Sequence, residues 1–97
     1  MAMHVISRKR INEFVAVHGD ARSALVAWYA IVSRTRFGSF AEVRRTFPSA
    51  DQVGNKVVFN IGGNKYRLIA AVHFNREKVY IREILTHAEY DRGGWKR

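Results

Sequence analysis

The sequence predicts an α+β fold, in which helices from the first half of the chain pack on one face of an antiparallel sheet formed mainly by C-terminal strands. Apolar residues in the first half recur at helical spacing, whereas the second half contains β-rich runs separated by turn residues. Helices followed by a meander of strands are typical of this class. At 97 residues the chain has the length of one domain, and we expect residues 1–97 to form a single domain.

A short strand and a helix open the chain. Residues 4–7 are a strand candidate, which would join either the edge or the centre of the sheet. Ser7 is expected to cap a helix over about residues 8–18. The apolar face of this helix repeats at the spacing i, i+3, i+4, i+7, and its members are Ile11, Phe14, Val15 and His18.

A second helix follows directly. Gly19 is expected to end the first helix, and Asp20 to cap the second. The second helix has an apolar stripe formed by Ala21, Ala24, Leu25, Trp28, Ile31 and Val32. Two helices joined so closely predict a helical hairpin that packs on the sheet.

A short third helix leads into the strands. Ser39 and Glu42 have the spacing of a capping box, which predicts a helix that runs to about Phe47 and ends before Pro48. The remaining predicted elements are a loop at 48–55, strands at 56–61, 65–74 and 79–86, turns at 62–64 and 75–78, one helical turn at 87–92 and a frayed end at 93–97.

The composition favours a nucleic-acid partner. The sequence contains 17 Lys and Arg residues against 8 Asp and Glu residues, a formal net charge of +9, and arginine outnumbers lysine. A guanidinium can bind phosphate through two hydrogen bonds and can stack on bases. An acidic protein partner would also match this charge. The chain has no cysteine, which excludes disulfides and thiolate metal ligands and is compatible with a cytoplasmic location, and no apolar run approaches a membrane span.

Two C-terminal strands carry arginine among apolar residues, which points to a phosphate-binding surface. Because alternate side chains of a strand lie on opposite faces, Lys65 and Arg67 are expected together on the face away from the helices. The same alternation places Arg82 on that face and turns Glu83 toward the helices. A single arginine here would be explained by a surface ion pair, but two of them beside a lysine favour phosphate contact.

His87 and Tyr90 lie one helical turn apart, and both side chains can take part in proton transfer. Considered alone, His87 is better explained as a surface or capping histidine and Tyr90 as a packing residue. None of the 4 histidines has a second histidine or a carboxylate at metal-ligand spacing, so we expect no zinc site.

Four segments of the chain carry a family resemblance. They are Thr46–Asp51, Val57–Asn64, Tyr66–Val72 and Tyr80–Asp91. The strings Asn-Ile-Gly-Gly-Asn and Ile-Arg-Glu, with Thr-His-Ala-Glu-Tyr-Asp after them, are the most specific. Together these segments resemble the HigB-type toxins of bacterial toxin–antitoxin pairs, a branch of the RelE-like mRNA interferases. The resemblance extends over nearly the whole chain and implies a RelE-like form of the α+β fold.

The resemblance also implies an activity and partners. The chain would be the toxin of a type II pair, an endoribonuclease that cleaves mRNA on the translating ribosome by metal-free attack of a ribose 2′-OH, without a cofactor. A HigA-like antitoxin with a helix-turn-helix would neutralise it. The expected catalytic residues are Arg67, Arg82, His87 and Tyr90, and the expected RNA-binding residues are Lys65, Asn64 and Lys56. A ParE-like topoisomerase-inhibiting toxin and a non-catalytic module that binds nucleic acid or antitoxin are the alternatives.

Overall fold

The protein is built on a five-stranded mixed sheet with helices packed on one face, and a computed structural model describes residues 3–96. The strands are β1 (His4–Ile6), β2 (Asp51–Val53), β3 (Lys56–Ile61), β4 (Tyr66–His73) and β5 (Lys78–Thr86). They lie in the order β1-β5-β4-β3-β2, with β1 parallel to β5 and the other neighbours antiparallel. The predicted α+β class is confirmed, and the N-terminal strand lies at an edge of the sheet.

Four α-helices and three short 3-10 helices complete the described part of the chain. The α-helices are α1 (Arg8–Val17), α2 (Arg22–Arg34), α3 (Phe40–Thr46) and α4 (His87–Arg92). The 3-10 helices are Gly19–Ala21, Phe74–Arg76 and Gly94–Lys96. Among the helices of residues 3–96, none is long and apolar enough to cross a membrane.

The main core lies between the sheet and the helices α1, α2 and α3. Its buried side chains include Ile11, Val15, Leu25, Trp28, Val32, Val43, Val57, Phe59, Leu68, Val79 and Ile81. Each large apolar side chain that is fully buried stabilises the fold by about 1.5–3 kcal/mol, so this layer is the main source of favourable folding free energy. Ile31 is an exception to the predicted stripe of α2, because it lies at the border of the buried arc and is 40% exposed.

Neither predicted N-cap of the helical hairpin acts as one. Ser7 precedes α1 with a left-handed φ of 76°, and its side chain makes no capping hydrogen bond. Asp20 lies in the 3-10 turn between the helices, and its carboxylate instead accepts a hydrogen bond from the Tyr66 hydroxyl at 2.6 Å. This bond ties the helical hairpin to the start of β4, a contact between residues far apart in the chain that no local pattern indicates.

The predicted capping box at α3 is only half formed. Ser39 caps the helix by accepting a hydrogen bond from the backbone N–H of Glu42 at 3.4 Å. The Glu42 side chain accepts from the backbone N–H of Gly38 at 2.9 Å, not from that of Ser39. The helix still begins and ends close to the predicted positions, because one satisfied backbone donor is enough to mark its start.

A β-bulge in β5 overturns the predicted facing of Glu83. Arg82 has no partner on β4, whose Ile69 pairs with Glu83. One extra residue in a strand reverses the alternation of the side chains that follow. Beyond the bulge Ile84 therefore packs with the main core, while Leu85 packs on the opposite face. Glu83 pairs with a residue of that opposite face, and its carboxylate does not have to be buried under the helices.

Two segments predicted to be irregular are ordered. Asp51–Val53 forms the edge strand β2, within the predicted loop 48–55. The predicted frayed end at 93–97 contains a 3-10 turn, and Trp95 is only 8% exposed. Its indole belongs to a second apolar cluster with Val58 and Ile69, on the face of the sheet opposite the helices. Part of the face expected to be open is therefore covered by the C-terminal segment.

Replacing Tyr66 with phenylalanine should destabilise the protein at neutral pH and less so in acid. The hydrogen bond from Tyr66, and then the Lys65 ammonium, hold the pKa of Asp20 below its ordinary value of 3.8. A depressed folded-state pKa stabilises the fold above the unfolded pKa, and this stabilisation is lost as the pH falls through the folded pKa. Urea unfolding should show a difference between wild type and Tyr66→Phe that narrows at strongly acidic pH. Tyr29→Phe is the matched control, and a pH-independent difference for Tyr66→Phe would contradict the expectation.

Candidate functional site

Polar side chains gather where β4, β5 and α4 meet, on the face of the sheet opposite α1–α3. Arg67 lies on β4, between Asn60 of β3 and Leu85 of β5 in the sheet register. Because α4 starts directly after β5, it returns over this end of β4 and brings its polar side chains to the arginine. We call the group formed by Asn64, Arg67, His87, Tyr90 and Asp91 the Arg67 cluster.

A capping box positions the helix that supplies three members of the cluster. The Thr86 side chain accepts from the backbone N–H of Glu89 at 3.2 Å, and the Glu89 carboxylate accepts from that of Thr86 at 2.9 Å. The backbone N–H of His87 donates to the carbonyl of Lys65 at 3.0 Å, which joins the helix to the turn before β4. The Thr-x-x-Glu spacing is a signal in the sequence that could have identified this helix start.

The Arg67 guanidinium is buried among protein acceptors. Arg67 is 8% exposed. Among the described residues it is the one charged or polar residue that is buried with the apolar core residues. Nη1 donates to the carbonyls of Asn64 at 3.2 Å and Tyr66 at 3.3 Å. Nη2 bonds to Asn64 Oδ1 at 2.8 Å and to His87 Nδ1 at 3.3 Å. Its Cζ also lies 5.3 Å from the centre of the Tyr90 ring. The Arg67 guanidinium is therefore directed at protein acceptors and does not project from the sheet.

The outer side of the cluster is formed by His87 and Asp91. His87 Nε2 lies 3.3 Å from Asp91 Oδ2, and the two side chains are 50% and 60% exposed. They are one helical turn apart on α4. The ring nitrogen and the carboxylate oxygen thus lie side by side on exposed side chains, and both are groups that serve in acid–base chemistry. Asp91 was not among the predicted site residues.

Tyr90 is held in place by the C-terminal 3-10 turn. Its ring stacks on that of Trp95 with centroids 4.9 Å apart, and the Trp95 indole N–H donates to the Tyr90 carbonyl at 3.0 Å. The other side of the indole contacts the apolar cluster with Val58 and Ile69. The aromatic pair therefore links the Arg67 cluster to the underlying sheet.

Lys65 and Arg82 do not join the Arg67 cluster. Lys65 was expected beside Arg67, but its ammonium lies 3.5 Å from Asp20 Oδ2 at the end of the helical hairpin. Arg82 is exposed and lies in the middle of β5, before the end of the strand that reaches the Arg67 cluster. Its Cζ is 5.9 Å from the centre of the Tyr80 ring. That part of the sheet face remains open and forms a second group of basic and aromatic side chains.

The other expected RNA-binding residues are divided between these two places. Asn64 belongs to the Arg67 cluster through both its carbonyl and its side chain. Lys56 starts β3 opposite Ala71, at the open end of the face, and its ammonium lies 3.4 Å from Asn55 Oδ1. Within residues 3–96, no group of three or more His, Asp or Glu side chains could hold a metal ion.

Comparisons with known proteins give matches to one family, through a family model and through individual relatives. Residues 21–93 match the family described as "HigB_toxin, RelE-like toxic component of a toxin-antitoxin system". The chain is 35% identical over 92 residues to the "mRNA interferase toxin HigB" of Escherichia coli (strain K12), which covers 92% of this chain and 88% of that relative. It is 33% identical over 93 residues to the "mRNA interferase HigB" of Escherichia coli O6:H1, with 93% and 90% covered. A relative from Shigella flexneri has the same name and 35% identity.

Trp95→Ala should lower the free energy of unfolding by about 3 kcal/mol, because it removes a large buried ring from the second apolar cluster. Urea unfolding followed by circular dichroism would measure the change. Val17→Ala is the control, since Val17 is 77% exposed and its truncation should change stability by at most about 0.5 kcal/mol. Equal stability of the two variants would show that the C-terminal turn is not anchored as described.

Proposed function

Since this chain belongs to the HigB family of RelE-like toxins, we propose that it is an mRNA interferase of a toxin–antitoxin pair that cuts RNA at the Arg67 cluster. The observation that carries the proposal is the exposed pair of His87 and Asp91 beside a basic face of the sheet. The relatives named mRNA interferase support the substrate class. The net charge of +9 supports a polyanionic substrate.

The proposed reaction uses the RNA's own nucleophile. A base removes the proton of a ribose 2′-OH, the oxygen attacks the adjacent phosphorus, and the bond to the 5′-oxygen breaks. The products are a 2′,3′-cyclic phosphate and a 5′-hydroxyl end. A metal ion is not needed for this route, because the enzyme has only to orient the reacting groups, move protons and stabilise added negative charge.

His87 and Asp91 are the proposed catalytic residues, which would act directly on the reacting RNA. They are the members of the Arg67 cluster that combine side-chain exposures of 50% and 60% with a ring nitrogen or a carboxylate, which are groups that serve in acid–base chemistry. Both are anchored on α4, whose first turn is held to the sheet through the Lys65 carbonyl. A reacting group on a rigid element is held more accurately than one on a loop.

Arg82 is the proposed phosphate contact. It is exposed, and among the described residues its guanidinium has no carboxylate within ion-pair distance. Tyr80 beside it makes an edge-to-face contact with His73 at 5.1 Å between ring centres, so an aromatic surface adjoins the free guanidinium. Lys56 adds a further positive charge at this end of the face. Tyr90 would assist at the other end through its hydroxyl group, because its ring already contacts Trp95 and Arg67.

The finer features of the function are also part of the proposal. We propose that cleavage takes place on the translating ribosome, in the cytoplasm, and that a HigA-like antitoxin with a helix-turn-helix neutralises the toxin. The basic surface supports both partners, since ribosomal RNA and an acidic antitoxin segment would each match it.

His87→Ala and Asp91→Asn should each slow RNA cleavage by about 10²–10⁴-fold, because each removes a group that acts on the reacting atoms. Purified protein would be assayed with ribosomes and mRNA, and the new ends tested for a 5′-hydroxyl and a cyclic phosphate. Arg34→Ala, at the exposed end of α2, is the control. Full activity in both site variants would overturn the assignment, and inhibition of DNA supercoiling without RNA cleavage would favour a topoisomerase-inhibiting toxin.

Arg82→Ala should lower kcat/KM for cleavage by about 10²-fold, because the variant loses an electrostatic contact with the phosphate. Arg82→Lys should recover part of this loss, since a lysine keeps the charge without the planar fork. Circular dichroism spectra would establish that each variant is folded. Arg22→Ala on the helical side is the matched control, and an equal loss in that variant would show that only the overall charge matters.

A further inference from the structure

We propose that Arg67 is a positioning residue that locks His87 in the neutral form with its proton on Nε2, and that it does not contact the RNA. The lock makes His87 a hydrogen-bond donor at its exposed edge and leaves Asp91 to accept the 2′-OH proton. The catalytic part of this inference rests on the proposed function, whereas the lock itself is a property of the free protein.

The chemistry of the two side chains fixes where the proton lies. A guanidinium has N–H donors and no acceptor. Nη2 of Arg67 lies 3.3 Å from Nδ1 of His87, so Nδ1 has to accept. A neutral imidazole carries one proton, which must then be on Nε2. Nε2 lies 3.3 Å from Asp91 Oδ2, and an Nε2–H donated to that carboxylate is consistent with the same tautomer.

The guanidinium holds the histidine, because it is itself held by groups that do not move with α4. Three of its four hydrogen bonds go to the carbonyls of Asn64 and Tyr66 and to the Asn64 side chain. The Tyr90 ring lies beside it, and Arg67 is 8% exposed. To reach a phosphate, Arg67 would have to break these hydrogen bonds. The loss of buried hydrogen bonds costs free energy, whereas a solvent-exposed arginine can bind a phosphate without losing any protein partner.

The lock assigns distinct roles in the proposed reaction. Asp91 takes the proton of the 2′-OH as the bond from the 2′-oxygen to phosphorus forms. His87 donates its Nε2–H to a phosphate oxygen, where negative charge develops, as a neutral imidazole can. The bond from phosphorus to the 5′-oxygen breaks, this oxygen takes a proton from solvent, and Asp91 returns its proton to solvent. Protons and charge balance without any additional reactant.

Nitrogen-15 NMR of the His87 ring in the free protein tests the lock, because the two tautomers have different ring-nitrogen shifts. Wild type should show the Nε2–H form alone. In the Asp91→Ala background, Arg67→Met, which keeps a side chain of similar length without donors, should show the mixture of tautomers found for a free imidazole. Asp91→Ala should keep the Nε2–H form, since Arg67 is still present. Asp91 is 60% exposed, so this variant is expected to fold.

The spectra distinguish the possible outcomes. A mixture in Asp91→Ala would show that Asp91 sets the tautomer, and a proton on Nδ1 in wild type would exclude the lock; either result overturns the proposal. If Arg67→Met does not fold, the wild-type and Asp91→Ala spectra still decide. In the cleavage assay, Arg67→Met should lower kcat by about 10²-fold at nearly constant KM, because Arg67 does not bind RNA. A locked tautomer in a protein that cleaves no RNA would count against the proposed function and leave the lock standing.

Discussion

A buried guanidinium without a carboxylate partner organises the functional end of this protein. In the described chain, the hydrogen bonds of Arg67 go to two carbonyls, one amide and one imidazole, and the nearby carboxylate of Asp91 lies on the far side of that imidazole. A buried charge is tolerated only if its hydrogen bonds are satisfied. The turn before β4 and the start of α4 must therefore both be in place before the arginine can be buried. Its burial makes these segments depend on one another.

The sheet face opposite α1–α3 has two regions, one covered by the C-terminal segment and one exposed. The Tyr90 and Trp95 rings cover the apolar surface around Val58 and Ile69, so the Arg67 cluster is built on a solid support. The other region, around Tyr80 and Arg82, stays exposed. Rigid support suits groups that must keep a geometry to a few tenths of an ångström. Exposed basic groups suit contacts with a flexible polyanion.

Local patterns in the sequence predicted the elements well and their mutual contacts poorly. The helices, β3–β5 and the Gly62–Gly63 turn follow from periodicity and turn chemistry. The facing of β5 could not be predicted, because nothing in its residues marks a bulge at Arg82. The C-terminal turn is ordered because Trp95 packs on Val58 and Ile69, which lie on strands distant in the sequence. The candidate site was predicted in part: Arg67, His87 and Tyr90 do meet, but the partner of Lys65 is a residue on the helical hairpin, and Asp91 was overlooked.

The bulge has a further consequence for how β5 tolerates changes in length. Deletion of Arg82 would remove the bulge and leave the pairing of the other residues unchanged, because Ile81 and Glu83 already lie opposite Ala70 and Ile69. Ile84 would stay on the core face, and the end of β5 would keep its place beside β4, so that α4 would still begin next to Arg67. In a regularly paired strand, the loss of one residue would instead reverse every side chain that follows. The bulge is therefore a point at which β5 can lose a residue without disturbing the Arg67 cluster, although the phosphate contact proposed for Arg82 would be lost.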